Sequence, residues 1–119
     1  MKRFWVYILS NHSRRLYIGV TNDLTRRVWQ HKTQESEGFS ARYNLTFLVH
    51  HQEFGDVRDA IEREKELKKW ARAKKLVLIE AENPAWEDLS ADWFDKAEIE
   101  SAKRDNIARR ETENSGSSN

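Results

Sequence analysis

The run Leu16-Tyr17-Ile18-Gly19-Val20-Thr21-Asn22-Asp23-Leu24-Thr25-Arg26-Arg27 decides how this chain is read. Its first five residues form a short β-branched and aromatic strand. Thr21 or Asn22 is then expected as an N-cap with Asp23 in the first turn, so a helix starts there and runs to about residue 34. Working back, residues 3–9 are β-branched and aromatic throughout, and 10–15 read as a turn. The first twenty residues are therefore a β-hairpin with a longer loop. Working forward, 35–41 read as loop and 45–52 as a third strand. Gly55 breaks that strand, and Asp56 caps a long helix over 56–71. Residues 74–81 read as a helix or a strand, with helix favoured by the surrounding alanine and lysine, and Asn83-Pro84 ends them. Trp86, Leu89, Trp93 and Phe94 are the last large apolar residues and anchor a final segment on the core. Beyond 94 the chain is charged. At most a frayed helix to Arg110 is expected there, followed by disorder over 112–119.

Composition bounds the rest. The chain has 119 residues, no cysteine and a net charge of +1, with a mean hydropathy of −0.92. One domain is expected, since a second core needs roughly 50 residues of its own. The lack of cysteine excludes a disulfide scaffold, a thiolate zinc site and a cysteine nucleophile. No apolar run approaches the ~20 residues that span a bilayer, and the N-terminus reads as a strand, not a signal peptide. A cytoplasmic protein without a membrane partner is expected. The near-zero charge hides an asymmetry. Residues 1–79 carry sixteen basic and nine acidic side chains, whereas 80–119 carry five and eleven. A basic portion of this kind suits phosphate binding. The acidic portion is expected to limit nonspecific binding of that kind.

Helical spacing singles out particular side chains. Along 56–71, Val57, Ala60, Ile61, Leu67 and Ala71 share a stripe expected to pack on the sheet, and Glu64 falls near its centre. A carboxylate there costs several kcal/mol unless it is paired or holds a cation. A salt bridge to Lys68 at i+4 is the ordinary explanation. In the first helix Leu24 and Val28 define the apolar face, and Arg27 and His31 lie on that same face. Singly these would be a snorkelling arginine and a satisfied core histidine. Together with Glu64 they suggest a site. Strand alternation puts Tyr7 and Tyr17 on the sheet face opposite Val6, Ile8 and Ile18. Gly19 removes a side chain beside Tyr17, which opens room for a ligand. Two half-buried aromatics are the plainer reading of the tyrosines.

One chemistry uses all of these. A single carboxylate suits Mg²⁺, which keeps most of its waters. Arginine binds phosphate with two parallel hydrogen bonds, and a tyrosine beside a cation can serve as base or nucleophile. The set fits metal-assisted attack on a phosphodiester.

Trp5-Val6-Tyr7 and Tyr17-Ile18-Gly19, followed by Thr21-Asn22-Asp23-Leu24-Thr25-Arg26-Arg27, resemble the GIY-YIG nuclease superfamily. Its members include the N-terminal nuclease of the bacterial excision-repair incision subunit, some homing endonucleases and some restriction enzymes. The chain looks most like the small stand-alone bacterial branch. The second motif is intact. The first has Trp5 for glycine and Val6 for isoleucine but keeps its tyrosine, and Val20 stands where some members carry lysine. The resemblance covers residues 2–94. It implies an α/β (α+β) fold, a small three-stranded, mainly antiparallel sheet flanked by helices, with 1–94 as the nuclease-like domain and 95–119 as a charged, flexible tail. It implies a metal-dependent endonuclease acting on DNA, in repair or on structured DNA. The alternative is a nucleic-acid-binding domain with little or no cleavage. Glu64, which opens a Glu-x-x-Leu stretch, would hold one divalent cation, Mg²⁺ or Mn²⁺. Arg27 would bind the scissile phosphate, with Gly19 and Arg26 beside the substrate. Tyr17 or Tyr7 would activate or position water, and His31 would accept the tyrosine proton or contact phosphate. Asn83, in Asn83-Pro84-Ala85-Trp86, resembles a late asparagine motif that contacts substrate.

Overall fold

The computed structural model describes residues 2–116. The hairpin forms as expected, from β1 (Phe4–Ser10) and β2 (Leu16–Thr21), and is followed by helix α1 (Leu24–Lys32). A four-residue helix, α2 (Phe39–Arg42), interrupts the stretch expected as loop. Strand β3 (Phe47–Phe54) begins and ends two residues later than the spacing predicts. Helix α3 (Val57–Lys69) is followed by α4 (Arg72–Glu82) and, after an irregular segment, by α5 (Lys96–Gly116).

The sheet order is β2-β1-β3, with both pairings antiparallel. β1 is therefore central, and its Val6-Tyr7-Ile8-Leu9 run is buried throughout. A strand covered on both faces needs apolar residues without alternation. One core places Val6, Ile8, Ile18 and Val49 against Ala60, Leu67 and Ile79 of α3 and α4. The other places Tyr7, Leu9 and Leu48 against Leu24 and Val28 of α1. The sheet thus has α1 on its tyrosine face and α3 with α4 on the other.

Local chemistry explains the helix starts. Thr21 Oγ1 accepts from the Asp23 amide at 3.0 Å, and Asp23 Oδ1 accepts from the Arg26 amide at 3.1 Å. Asp23 is therefore the N-cap of α1, not Thr21 or Asn22. Asp56 caps α3 as expected, accepting from the Arg58 amide at 2.8 Å.

The C-terminal portion differs from expectation. The helix extends to Gly116, past the anticipated end at Arg110, while 117–119 lie outside the described residues. Asp95 Oδ1 accepts from the Glu98 amide at 3.1 Å and starts α5. Asn106 Nδ2 donates to the Thr33 carbonyl at 3.0 Å, and Arg110 pairs with Glu37 at 3.4 Å. A long polar helix gives little periodic signal, but good helix formers and two tertiary contacts sustain it. The segment before it is tied down by Asp88. That carboxylate holds Lys32 Nζ at 2.6 Å and accepts from the Leu48 amide at 3.0 Å. Trp29 packs edge-on against Phe94 at 5.2 Å. Trp70 joins the α3 core, with Lys74 over its ring at 4.2 Å. Among the described residues, no helix is long and apolar enough to cross a membrane.

Candidate active site

Tyr7 and Gly19 are cross-strand partners. The Tyr7 phenol lies over Gly19, where a Cβ would stand 2.5 Å from the hydroxyl and 2.6 Å from Cζ. The missing side chain therefore seats the protein's own tyrosine, which corrects the expectation that Gly19 leaves room for a ligand. The Tyr17 ring lies 6.2 Å from that of Tyr7 and 5.3 Å from His31.

His31, buried on α1, bridges two hydroxyls. Its Nε2 is 3.2 Å from the Tyr7 hydroxyl, and its Nδ1 is 2.9 Å from Ser40 Oγ. Burial, reinforced by the charge of Arg27, pulls its pKa down to about 4. The imidazole is therefore neutral at pH 7, donating through one nitrogen and accepting through the other. Burial also pushes the Tyr7 hydroxyl up to about 12, although Arg27 acts against this. Tyr7 thus stays protonated, while Tyr17 is the more exposed of the pair.

Arg27 sits one turn before His31. Its Nη1 donates to Gln30 Oε1 at 2.8 Å and to Ser36 Oγ at 3.2 Å. Burial pulls its pKa down, but the oxygens of Tyr7 and Tyr17 outweigh burial and the net direction is up. Both anchors are neutral, so the guanidinium keeps its charge for an anion. It borders a cleft of about 470 Å³ shared with Thr21, Asn22, Asp23, Arg26 and Gln30. It also borders a neighbouring one of about 390 Å³ that reaches Val57 and Ile61 of α3 across the β2 edge. Arg26 lines the first of these and is exposed, as a substrate contact requires.

Glu64 does not join the tyrosines directly. It belongs to α3, on the opposite sheet face. Its flank is that of Val57 and Ile61, at i−7 and i−3, so it lies about one helical turn from the end of the second cleft. Val57 and Ile61 are exposed instead of filling the core stripe, as is Ala71, and only Ala60 and Leu67 of that expected set are buried. The Glu64 side chain is 18% exposed and pairs with Lys68 at 3.3 Å, where Lys68 is 54% exposed. That ion pair is wet and worth little. Among the described residues no three His, Asp or Glu side chains gather into a metal cage. One half-buried carboxylate about a helical turn from the cleft still fits a hard cation that retains its waters.

Asn83 belongs elsewhere. It caps α4 from a buried position. Its Nδ2 donates to the Val49 carbonyl at 3.2 Å and to the Glu87 carbonyl at 2.9 Å. Its Oδ1 accepts from the Glu87 amide at 3.0 Å. All its polar atoms are engaged at the β3 edge, while the Arg27 cleft lies at the β2 edge. Asn83 is a structural clamp, and the expected substrate contact is corrected on that ground. Gln30, Ser36 and Ser40 are the supporting residues that sequence reasoning missed. Gln30 was legible at i+3 from Arg27; Ser36 comes from a loop and Ser40 from the four-residue α2, neither with a periodic signal.

The GIY-YIG catalytic domain matches residues 3–76, so the match ends inside α4, before Asn83. A UPF0213 protein of Natronomonas pharaonis is 36% identical over 75 residues, which are 63% of this chain and 88% of the relative. A UPF0213 protein of Bacillus pumilus is 32% identical over 64% of this chain and 78% of its own length. The solution structure of a UPF0213 protein from Bacillus halodurans has 25% identity and a TM-score of 0.47, covering 76% of this chain and 97% of that one. The chain belongs to the GIY-YIG catalytic-domain family, a family of nucleases.

Proposed function

We propose that this protein is a divalent-metal-dependent endonuclease that hydrolyses phosphodiesters in DNA, with structured or damaged DNA in repair as its substrate class and the cytoplasm as its location. The observation that carries the reading is Arg27. Its charge is held by two neutral partners at the junction of two clefts, beside two tyrosines and a neutral histidine. Arg27 binds the scissile phosphate through paired donors and stabilises the charge that grows there. Tyr17 orients the attacking water, whose proton passes to solvent. The water oxygen bonds to phosphorus while one ester bond breaks, its electrons leaving on the departing oxygen. Tyr7, protonated and held by His31, fixes the ring against which Tyr17 packs. Arg26 adds a contact to the neighbouring backbone. Glu64 would hold the cation, Mg²⁺ or Mn²⁺, which would supply charge neutralisation on the phosphate.

A second reading, binding without cleavage, is favoured by the engagement of Glu64 with Lys68 on the far face of the sheet. The two separate in one experiment. The pure protein is incubated with plasmid, single-stranded DNA, RNA and branched junctions, with Mg²⁺ or Mn²⁺, beside Glu64→Ala and Arg27→Ala. Metal-dependent cleavage lost in both variants is expected. Cleavage that survives Glu64→Ala overturns the metal assignment. Salt-sensitive binding without cleavage of any substrate selects the second reading.

A further inference from the structure

At the far end of β2 from the Arg27 cleft, the β1–β2 loop carries a second group of cations. Arg15 stacks on Tyr43, with its guanidinium carbon 3.9 Å from the ring centre. Arg42 lies over the same ring at 5.5 Å. Arg14 lies over Trp86 at 4.7 Å, and Arg72 donates to the Arg14 carbonyl at 2.7 Å. The four form one contiguous rim around that end of the sheet. All four are exposed, and among the described residues none has a carboxylate partner. Stacking fixes the plane of a guanidinium and leaves its edge free to donate.

The loop is also built to hold this shape. Asn11 Oδ1 accepts from Ser13 Oγ at 2.8 Å and from the Arg15 amide at 3.1 Å. Asn11 Nδ2 donates to the Tyr43 carbonyl at 2.7 Å. Arg14 has φ 59°, a left-handed conformation that costs a non-glycine residue free energy. The backbone there sends Arg14 toward Trp86 and Arg15 toward Tyr43. Ordered arginines without carboxylate partners, their edges free except where Arg72 holds the Arg14 carbonyl, are a phosphate-binding arrangement. A flexible surface loop would need neither the stacking nor the Asn11 scaffold.

We propose that the Arg14, Arg15, Arg42 and Arg72 rim is a second backbone-phosphate site, which holds the same nucleic-acid strand that the Arg27 cleft engages. The strand then runs along β2, the outer edge of the sheet. The six residues of β2 separate the sites by about 17 Å. That corresponds to about five nucleotides of a stacked strand at the duplex rise of about 3.4 Å each. The proposal rests on the nuclease reading for its partner but not for its test, because binding is measured with chelator present and no cleavage.

The assay is fluorescence anisotropy with labelled single-stranded DNA of 4 and 12 nucleotides across a salt series. It compares the wild type, Arg14→Gln/Arg15→Gln/Arg42→Gln and the charge-matched control Lys65→Gln/Lys69→Gln/Arg104→Gln, with thermal melts to verify folding. The rim variant is expected to lose about 10- to 100-fold in affinity for the 12-mer, and about two units of salt slope. Its affinity for the 4-mer stays within about threefold of wild type, and the control variant loses less than the rim variant on the 12-mer. Equal losses in rim and control variants overturn the proposal, since diffuse charge would then explain both. Wild-type-like binding by the folded rim variant, or no binding by any form, also overturns it. Equal competition by polyglutamate assigns the rim to an acidic polypeptide and overturns the nucleic-acid reading.

Discussion

Gly19→Ala puts the seat of Tyr7 to the test. The new Cβ would stand 2.5 Å from the Tyr7 hydroxyl, 2.6 Å from Cζ and 2.9 Å from Cε1. Ordinary contact is about 3.5 Å, so the phenol must retreat by about 1 Å. The Tyr7–His31 hydrogen bond is already 3.2 Å long and breaks on that displacement. Crowding a well-packed core costs about 1–3 kcal/mol, and the lost bond adds about 1 kcal/mol. Alanine recovers about 0.5–1 kcal/mol of backbone entropy over glycine in a strand. The net expectation is about 1–3 kcal/mol of destabilisation, read as a shift in the urea midpoint at unchanged slope. A displacement of that size beside the reacting groups lowers the cleavage rate about 100-fold. Adding Tyr7→Leu, which empties the occupied space, restores part of the stability but no activity, and the double-mutant cycle shows a coupling of about 1–2 kcal/mol. Wild-type stability for Gly19→Ala with an unshifted Tyr7 ring resonance would falsify the seating argument.

Other expectations follow from the same site and its supports. Tyr17→Phe lowers single-turnover cleavage at least about 100-fold, whereas Tyr7→Phe lowers it less and destabilises the fold by about 1–2 kcal/mol, because a His31 nitrogen loses its partner; equal rate losses refute the division of labour. His31 is depressed to about 4 in the folded state, so protonation favours the unfolded chain. Stability is full above the ordinary value near 6.5 and falls as pH drops from there toward 4, and a His31→Gln variant shows a flatter profile in that window. Asp88 is half-buried, which raises its pKa, but Lys32 and Ser90 outweigh that and the net direction is down. Its contribution is complete above the ordinary carboxylate value and disappears as acid takes the pH below it. Asp88→Ala leaves the Lys32 ammonium, 10% exposed, without its counter-ion and costs about 3–5 kcal/mol in chemical denaturation.

Much of this structure was legible because local periodicity and tertiary packing agree. The tyrosine pair, the cap at Asp56 and the placement of Leu24, Val28, Arg27 and His31 on one face of α1 all follow from spacing. The failures share a cause, which is contact between residues distant in sequence. Asn83 looks like a simple helix stop, and its clamp on Val49 appears only once β3 is beside it. Gly19 reads as space until the hairpin register brings Tyr7 over it. Val57 and Ile61 fit the apolar stripe of α3, but the helix rolls on the sheet so that Ala60 and Leu67 make the contact. That same roll leaves Glu64 half-covered and next to solvent, a position that spacing alone assigned to the core.

β1 contributes Val6 and Ile8 to one core and Tyr7 and Leu9 to the other. Opening that strand breaks both cores at once, so its amides should exchange with solvent only by global unfolding. Tyr7 therefore stands on the slowest-exchanging part of the molecule. Arg27 and His31 take further restraints from Ser36 and from Ser40, which stand on either side of exposed Gly38, Ser40 being buried at the start of α2. The site combines a rigid aromatic floor with a cationic wall whose partners can exchange locally. Adjustment to different backbone geometries then belongs to the wall, and a substrate that immobilises Ser36 and Ser40 should leave the protection of β1 unchanged.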